Sequence, residues 1–183
     1  CCGLLLVVEG AVAVGRRFGG KAPHVCVYLG PGDLYGLVPV TDGGSQPHDM
    51  RAHEDSVLLT VPAPLVAATM RRLPRLTDAL LLDLAARSRS LYERLVDTLS
   101  RPLVCRLARQ LHDLGARFGR PRPEGLILTL RLSQSDLAAL LGAGRQQINT
   151  ELKKLQQRGV IRVSRTAVTI VDPAGLADFA HIE

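Results

Sequence analysis

Residues 4 to 62 alternate apolar β-formers with turn signals: LLLVVEGAVAV, then GG at 19 and 20, HVCVYL, the turn GPGD at 30 to 33, TDGG at 41 to 44, and SVLLTV. Short strands at this spacing predict a sandwich or roll. Pro62 and Pro64 close the section, and the period then turns helical: LVAATMRR, residues 65 to 72, predicts a short helix that Pro74 ends or redirects. From Arg75 to Leu99 there is no Gly or Pro, and Thr77, Leu81, Leu84, Ser88, Leu91, Leu95 and Thr98 recur in a 4-3-4-3 seam. One helix of about 25 residues spans ~37 Å, long enough to need company along one side. The preferred partner for the seam is the same helix of a second copy, and packing inside its own chain is the alternative. Leu80 and Leu82 would form a second apolar face resting on the strands.

Ser100 followed by Pro102 predicts a capped helix over 101 to 117, which GRPRPEG breaks. LILTLR, residues 126 to 131, predicts a strand, and SQSD at 133 to 136 has the form of a capping box opening a helix that stops at Gly142. A tight GAG turn at 142 to 144 leads to a second helix from Arg145 to about Arg158. Two β-rich arms follow, 160 to 163 and 167 to 171, joined near Ser164 to Thr166. The pattern is a winged helix-turn-helix. At ~100° per residue, Ile148, Leu152 and Leu155 share the face that must be buried, while Gln146, Asn149, Thr150 and Lys153 gather opposite, with Arg145 at their edge. Arg pairs bidentately with guanine O6 and N7, and Asn or Gln with adenine N6 and N7, so Arg145, Gln146 and Asn149 are the expected base readers. Ser133, Gln147, Thr150, Lys153, Lys154, Arg158, Arg162 and Arg165 are expected on phosphates or flanking them; Gln147 lies off the centre of the reading face.

Charge sharpens this division. Residues 1 to 100 hold ten basic and ten acidic side chains, residues 101 to 183 thirteen and seven, so the whole net charge of +6 falls in the second half, which is expected to meet a polyanion. With 183 residues, 46% of them hydrophobic, the chain can build real cores of α+β class. It has neither a membrane-spanning run nor a signal peptide, and a cytoplasmic location is expected. Cys1, Cys2, Cys26 and Cys105 show no CxxC spacing, which argues against zinc or an iron-sulfur cluster and for reduced, mostly buried thiols. His24 and Cys26, two apart on a predicted strand, share a face; haem ligation is the alternative there to core packing, and no cofactor is expected. His48 and His53, beside Glu54, are five apart and would face opposite sides. No nucleophile, base and orienting residue are grouped by spacing, so no enzyme is expected. The chain opens on Cys1 inside an apolar run, CCGLLLVV, and residues upstream of it are expected.

RLSQSDLAALLGAGRQQINTELKKLQQRGVIRV resembles the C-terminal winged helix of the CRP/FNR family of bacterial transcription regulators, matching at Leu137, Ala138, Gly142, Arg145, Ile148, Leu152, Leu155, Gly159 and Ile161; DPAGL fits the family's closing pattern. LLLVVEGAVAV resembles the strand pair near the start of the family's cyclic-nucleotide-binding-like β-roll, LGPGDLYG its turn, RAHEDSVLLTVP its last strand and residues 75 to 99 its dimerisation helix, with the roll's first strands missing. The resemblance implies a β-roll effector-type domain over 1–72 with a short flanking helix, a dimerisation helix over 73–100 and a DNA-binding domain over 101–183. It implies a homodimer on a two-fold symmetric duplex site, with RNA polymerase as a further partner. It also implies an effector pocket around Leu37, Gln46, Leu91 and Tyr92. Leu37 stands where cyclic-AMP-binding members carry the Glu that holds the ribose, and Gln46 where they carry the Arg that binds the phosphate. A buried phosphate without a guanidinium loses the pairing that offsets its desolvation, so dependence on cyclic AMP is not expected and the effector stays open. Gly144 replaces a Ser or Thr, Gln146 a Glu, and Thr150 a common Arg, which implies an altered half-site. A protein-interaction module whose winged helix has lost DNA binding is the alternative function.

Overall fold

Glu9 and Gly10 interrupt the first apolar run and send its two halves into different sheets. The computed structural model describes residues 3–17, 24–164 and 167–180, which form ten strands and seven helices. Strand β1 (Gly3–Glu9) lies between β4 (Leu34–Tyr35) and β6 (Val57–Pro62), antiparallel to both. Strand β2 (Val12–Arg16) lies between β3 (His24–Leu29) and β5 (Asp49–Ala52), also antiparallel. The LLLVVEGAVAV pair is therefore no hairpin. Gly10 makes the crossing at φ 79°, and the place of a Cβ there is already taken by the Asp55 carbonyl and Ser56.

Period-2 alternation then sorts the side chains. Val7, Val12, Val14 and Leu29 are buried together, with Val27, Tyr35, Met50 and Leu58 against them. The hydroxyl of Tyr35 donates to the His48 carbonyl at 2.8 Å, and its pKa is raised by burial first, then by Asp49 and Cys26. Leu4 points the other way, into a cluster with Leu37, Val66 and Leu80. These come from α1 (Leu37–Asp42), α2 (Ala63–Arg72) and α3 (Pro74–Ser100). Helix α1 falls where only a turn at 41 to 44 was expected, and RAHEDSVLLTVP, expected as one last strand, is divided between β5 and β6. Cys26 and His24 are exposed on the outward side of β3, which corrects the expectation that core packing explains them; Cys105 is buried. Cys1 and Cys2 lie outside the described residues.

The chain divides into two compact units, Cys1–Leu95 and Val96–Glu183, and the division falls inside α3. Leu80 and Leu84 of that helix pack on the first unit, and the Thr77 hydroxyl donates to the Met70 carbonyl at 3.1 Å. Leu82, expected to rest on the strands, is 71% exposed. In the second unit, Asp97 at the end of α3 is buried and ion-paired with Arg101 at 2.8 Å and Arg109 at 2.9 Å. Ser100 does not cap the next helix: its hydroxyl donates back to Val96, and Pro102 stands at the N-cap of α4 (Leu103–Phe118).

GRPRPEG ends α4 but is itself structured. Gly119–Arg122 forms β7, paired with β8 (Gly125–Leu128), so the expected 126 to 131 strand stops three residues early. Helix α5 (Gln134–Leu141) and helix α6 (Arg145–Gln157) follow, then β9 (Ile161–Val163), β10 (Val168–Ile170) and α7 (Pro173–Ala180). The sheet runs β7-β8-β10-β9. DPAGL is the start of α7, where Asp172 accepts from the Gly175 backbone N–H at 3.0 Å and Leu176 is fully buried. Among the described residues no helix is long and apolar enough to cross a membrane.

Gly10→Ala is expected to destabilise the first unit by about 2 to 3 kcal/mol in urea denaturation, since it adds a steric clash to a left-handed backbone. Gly32→Ala, at φ 90° with open space around it, carries only the backbone strain and should cost about 1 kcal/mol. Equal losses would show that crowding at Gly10 is not what fixes the crossing.

Candidate nucleic-acid interface

Helix α5 begins with a complete capping box. Ser133 Oγ accepts from the Asp136 backbone N–H at 3.1 Å, and Asp136 Oδ2 accepts from the Ser133 backbone N–H at 2.8 Å. Ser133 Oγ also donates to that carboxylate at 2.6 Å, so this side chain, expected near a phosphate, is engaged in its own helix start. Gly142 ends the helix in the left-handed conformation with its N–H on the Ala138 carbonyl. Arg106 of α4 donates to the Leu141 carbonyl at 3.2 Å, satisfying an acceptor the helix end leaves open.

Helix α6 starts at Gly144, where no side-chain hydroxyl can cap. Gln147 does half of that work: its Oε1 accepts from the Gly144 backbone N–H at 2.8 Å. This bond turns Gln147 toward its own helix start. Below the surface, Ile148 and Leu155 are fully buried and Leu152 nearly so, packed among α4 and α5. On the opposite face Arg145, Gln146, Thr150 and Lys153 are exposed, and Asn149 is half-buried. Two of the expected contacts are partly occupied: the Thr150 hydroxyl donates to the Gln146 carbonyl at 3.1 Å, and Lys154 pairs with Glu151 at 2.9 Å. Asn149 Oδ1 accepts from Gln134 Nε2 at 3.1 Å, so Gln134, which the sequence reading passed over, joins the face.

The wing is built by β9 and β10. Ile161 and Val168 are buried, whereas Arg162, paired in register with Thr169, is exposed. Ser164 and Ala167 bond across the tip, while Arg165 and Thr166 lie outside the described residues. Arg145, Lys153, Lys154, Arg158 and Arg162 are therefore exposed cations on α6 and the adjoining strand. Such a surface can pair with phosphates, while the amides between them can meet base edges.

In the first unit, Leu37 is 3% exposed inside the aliphatic cluster, and the Gln46 amide lies beside Gly36. Leu91 and Tyr92 stand exposed on α3. His53 packs edge-on against Tyr28 at 4.8 Å between ring centres. Among the described residues no group of three or more His, Cys, Asp or Glu could hold a metal ion.

Residues 105–179 match the model of the Crp-like helix-turn-helix domain, and residues 1–72 that of the cyclic nucleotide-binding domain. The chain is 28% identical over 174 residues to the CRP-like cAMP-activated global transcriptional regulator of Mycobacterium tuberculosis, covering 95% of this chain and 78% of the relative. It is 31% identical over 178 residues to the cyclic AMP receptor protein of Thermus thermophilus, covering 97% and 79%. A CRP/FNR-family transcriptional regulator of solved structure from Thermus thermophilus superposes with TM-score 0.80 at 20% identity, covering 98% of this chain and 88% of that one.

Gln147→Ala is expected to lower stability by about 0.5 to 1 kcal/mol by denaturation, having removed the acceptor of the Gly144 N–H. Gln147→Glu keeps an acceptor there and should hold stability. A Glu variant as unstable as the Ala variant would mean that the half-box contributes nothing.

Proposed function

The chain belongs to the CRP/FNR family of transcription regulators and carries that family's helix-turn-helix DNA-binding domain; on that premise we propose that it is a cytoplasmic homodimer that reads a two-fold symmetric duplex site through α6. The observation behind sequence-specific reading is the division of that helix: Ile148, Leu152 and Leu155 are locked in the core while Arg145, Gln146 and Asn149 line the other side at its N-terminal end. Those are the residue types and the helix end that meet base edges in the major groove. Lys153, Lys154, Arg158, Arg162 and Arg165 hold phosphates. RNA polymerase is a further partner by family likeness.

Dimerisation is supported by α3. Leu81, Ala85, Ser88, Tyr92, Leu95 and Leu99 follow a 4-3-4-3-4 spacing on one face, and the four large ones are between 55% and 79% exposed. Apolar side chains exposed in one continuous line need a partner. Leu81, Ser88 and Leu95 of this line are also in the seam the sequence suggests; Thr77 and Leu84 of that seam pack on the first unit, and the exposed Leu91 flanks the line.

The regulator works without cyclic AMP, although two relatives are named for it. Leu37 offers no hydrogen bond to a ribose and is buried among aliphatic side chains, and Gln46 offers a neutral amide where a phosphate needs a cation. Any effector it answers to has some other chemistry.

Duplex DNA binding is expected to weaken by orders of magnitude between about 50 and 200 mM salt, as neutralised phosphates release counterions. Arg145→Ala should relax preference at one base pair by about 1 to 3 kcal/mol, whereas Lys153→Ala should weaken all sequences alike. Small, equal effects of both variants in a selection from random duplexes would count against base reading by α6, and failure to bind any duplex would point to a protein-interaction module. Leu95→Glu is expected to convert the dimer to monomer in sedimentation, while Leu82→Glu, ~100° away from the seam, leaves it intact. A dimer that survives Leu95→Glu would place the interface elsewhere.

A further inference from the structure

Gln134, the first residue of α5, reaches across the turn to α6, where its Nε2 donates to Asn149 Oδ1 at 3.1 Å between two half-buried side chains. We propose that Gln134 is a positioning residue for base recognition, setting the sense in which the Asn149 amide meets the base edge. The inference rests on α6 being the reading helix.

An asparagine amide has an acceptor on one side and donors on the other, and a half-turn about its last torsion exchanges them. The exchange changes what it can read. Adenine presents an N6–H donor beside the N7 acceptor, so only one sense of the amide pairs with both. In this pair the Gln134 N–H bonds to the carbonyl oxygen of Asn149, and the Asn149 amide cannot reverse unless the Gln134 amide reverses with it, so the sense of one is tied to the sense of the other before DNA arrives. One lone pair of Oδ1 and both N–H groups of Nδ2 remain for the base.

The support for that donor is rigid. Gln134 directly follows the Ser133 N-cap, and the two bonds between Ser133 and Asp136 fix the backbone at this point. The receiving side is equally fixed, because Asn149 is next in sequence to Ile148, which is fully buried. A pair anchored at both ends loses little freedom on binding, which is how a bond made inside the free protein raises discrimination in the complex.

The test uses the full chain, its selected duplex and single-base variants of that duplex. Asn149→Ala first identifies the base pair this residue reads. Gln134→Ala should then lower preference at that pair by roughly three- to tenfold, leave preference at the pair read by Arg145 unchanged, and have no further effect in the Asn149→Ala background. Gln134→Glu, which accepts but cannot donate, should turn the Asn149 amino group toward itself and shift the preferred base at that one pair. A loss spread over all sequences, or one that persists undiminished beside Asn149→Ala, would mean that Gln134 acts on its own, as a phosphate ligand does, and would overturn the proposal. If Asn149→Ala relaxes one pair and neither Gln134 variant affects it, the positioning role alone fails. If neither Arg145→Ala nor Asn149→Ala relaxes any pair, the reading of α6 fails with it.

Discussion

The burial of Ile148, Leu152 and Leu155 leaves α6 no freedom to turn about its axis, because three side chains on one stripe are locked into close-packed neighbours on α4 and α5. Every polar residue of the helix is oriented by that constraint. Rotating the helix by one position would expose an aliphatic side chain and bury a charged or amide group, each costing on the order of kilocalories. The capping box of α5, the left-handed Gly142 and the bond from Arg106 to Leu141 hold the preceding helix and its turn in place. The polar face of α6 is thus placed by apolar contacts on its far side.

The first unit uses its core differently. Where the family resemblance implies a ligand-holding carboxylate, Leu37 contributes to an aliphatic cluster with Leu4, Val66 and Leu80. A side chain of that kind adds cohesion to the protein on its own and nothing to a polar guest. The first part of α3 shares in the same cluster through Leu80 and Leu84, so the face it leaves outward is decided by the roll it packs on.

Much of the second unit was legible in the sequence, because local and global signals agree there. The capping box, the glycine turn, the α6 stripe and the wing arms each follow from residues close together in the chain. What escaped reading lacked such a signal. Helix α1 is six residues long and contains Pro39, too short and too irregular to show a period. Strand β5 (DMRA) has no apolar alternation to set it apart from β6, and Pro121 of β7 looks like a breaker until its pairing with β8 is seen. Asp172 before Pro173 is a local signal for the start of α7, where its carboxylate accepts from the Gly175 backbone N–H. Thr77 and Leu84 of the α3 stripe pack on the first unit; a 4-3-4-3 count alone cannot tell which of two apolar stripes the roll will claim. Gln134 could be placed only once α5 and α6 were set against each other, since its partner lies fifteen residues away.

The wing is no free hairpin: β10 bonds to β9 on one side and to β8 on the other. A strand has only two faces, so its alignment can change only in steps of whole residues, and a single step would carry Arg162 inward and Ile161 outward. No graded misplacement lies between the two. With β8 fixing β10 from behind, the positive charge of the wing is delivered in an all-or-none manner, like a key that either seats fully or does not enter.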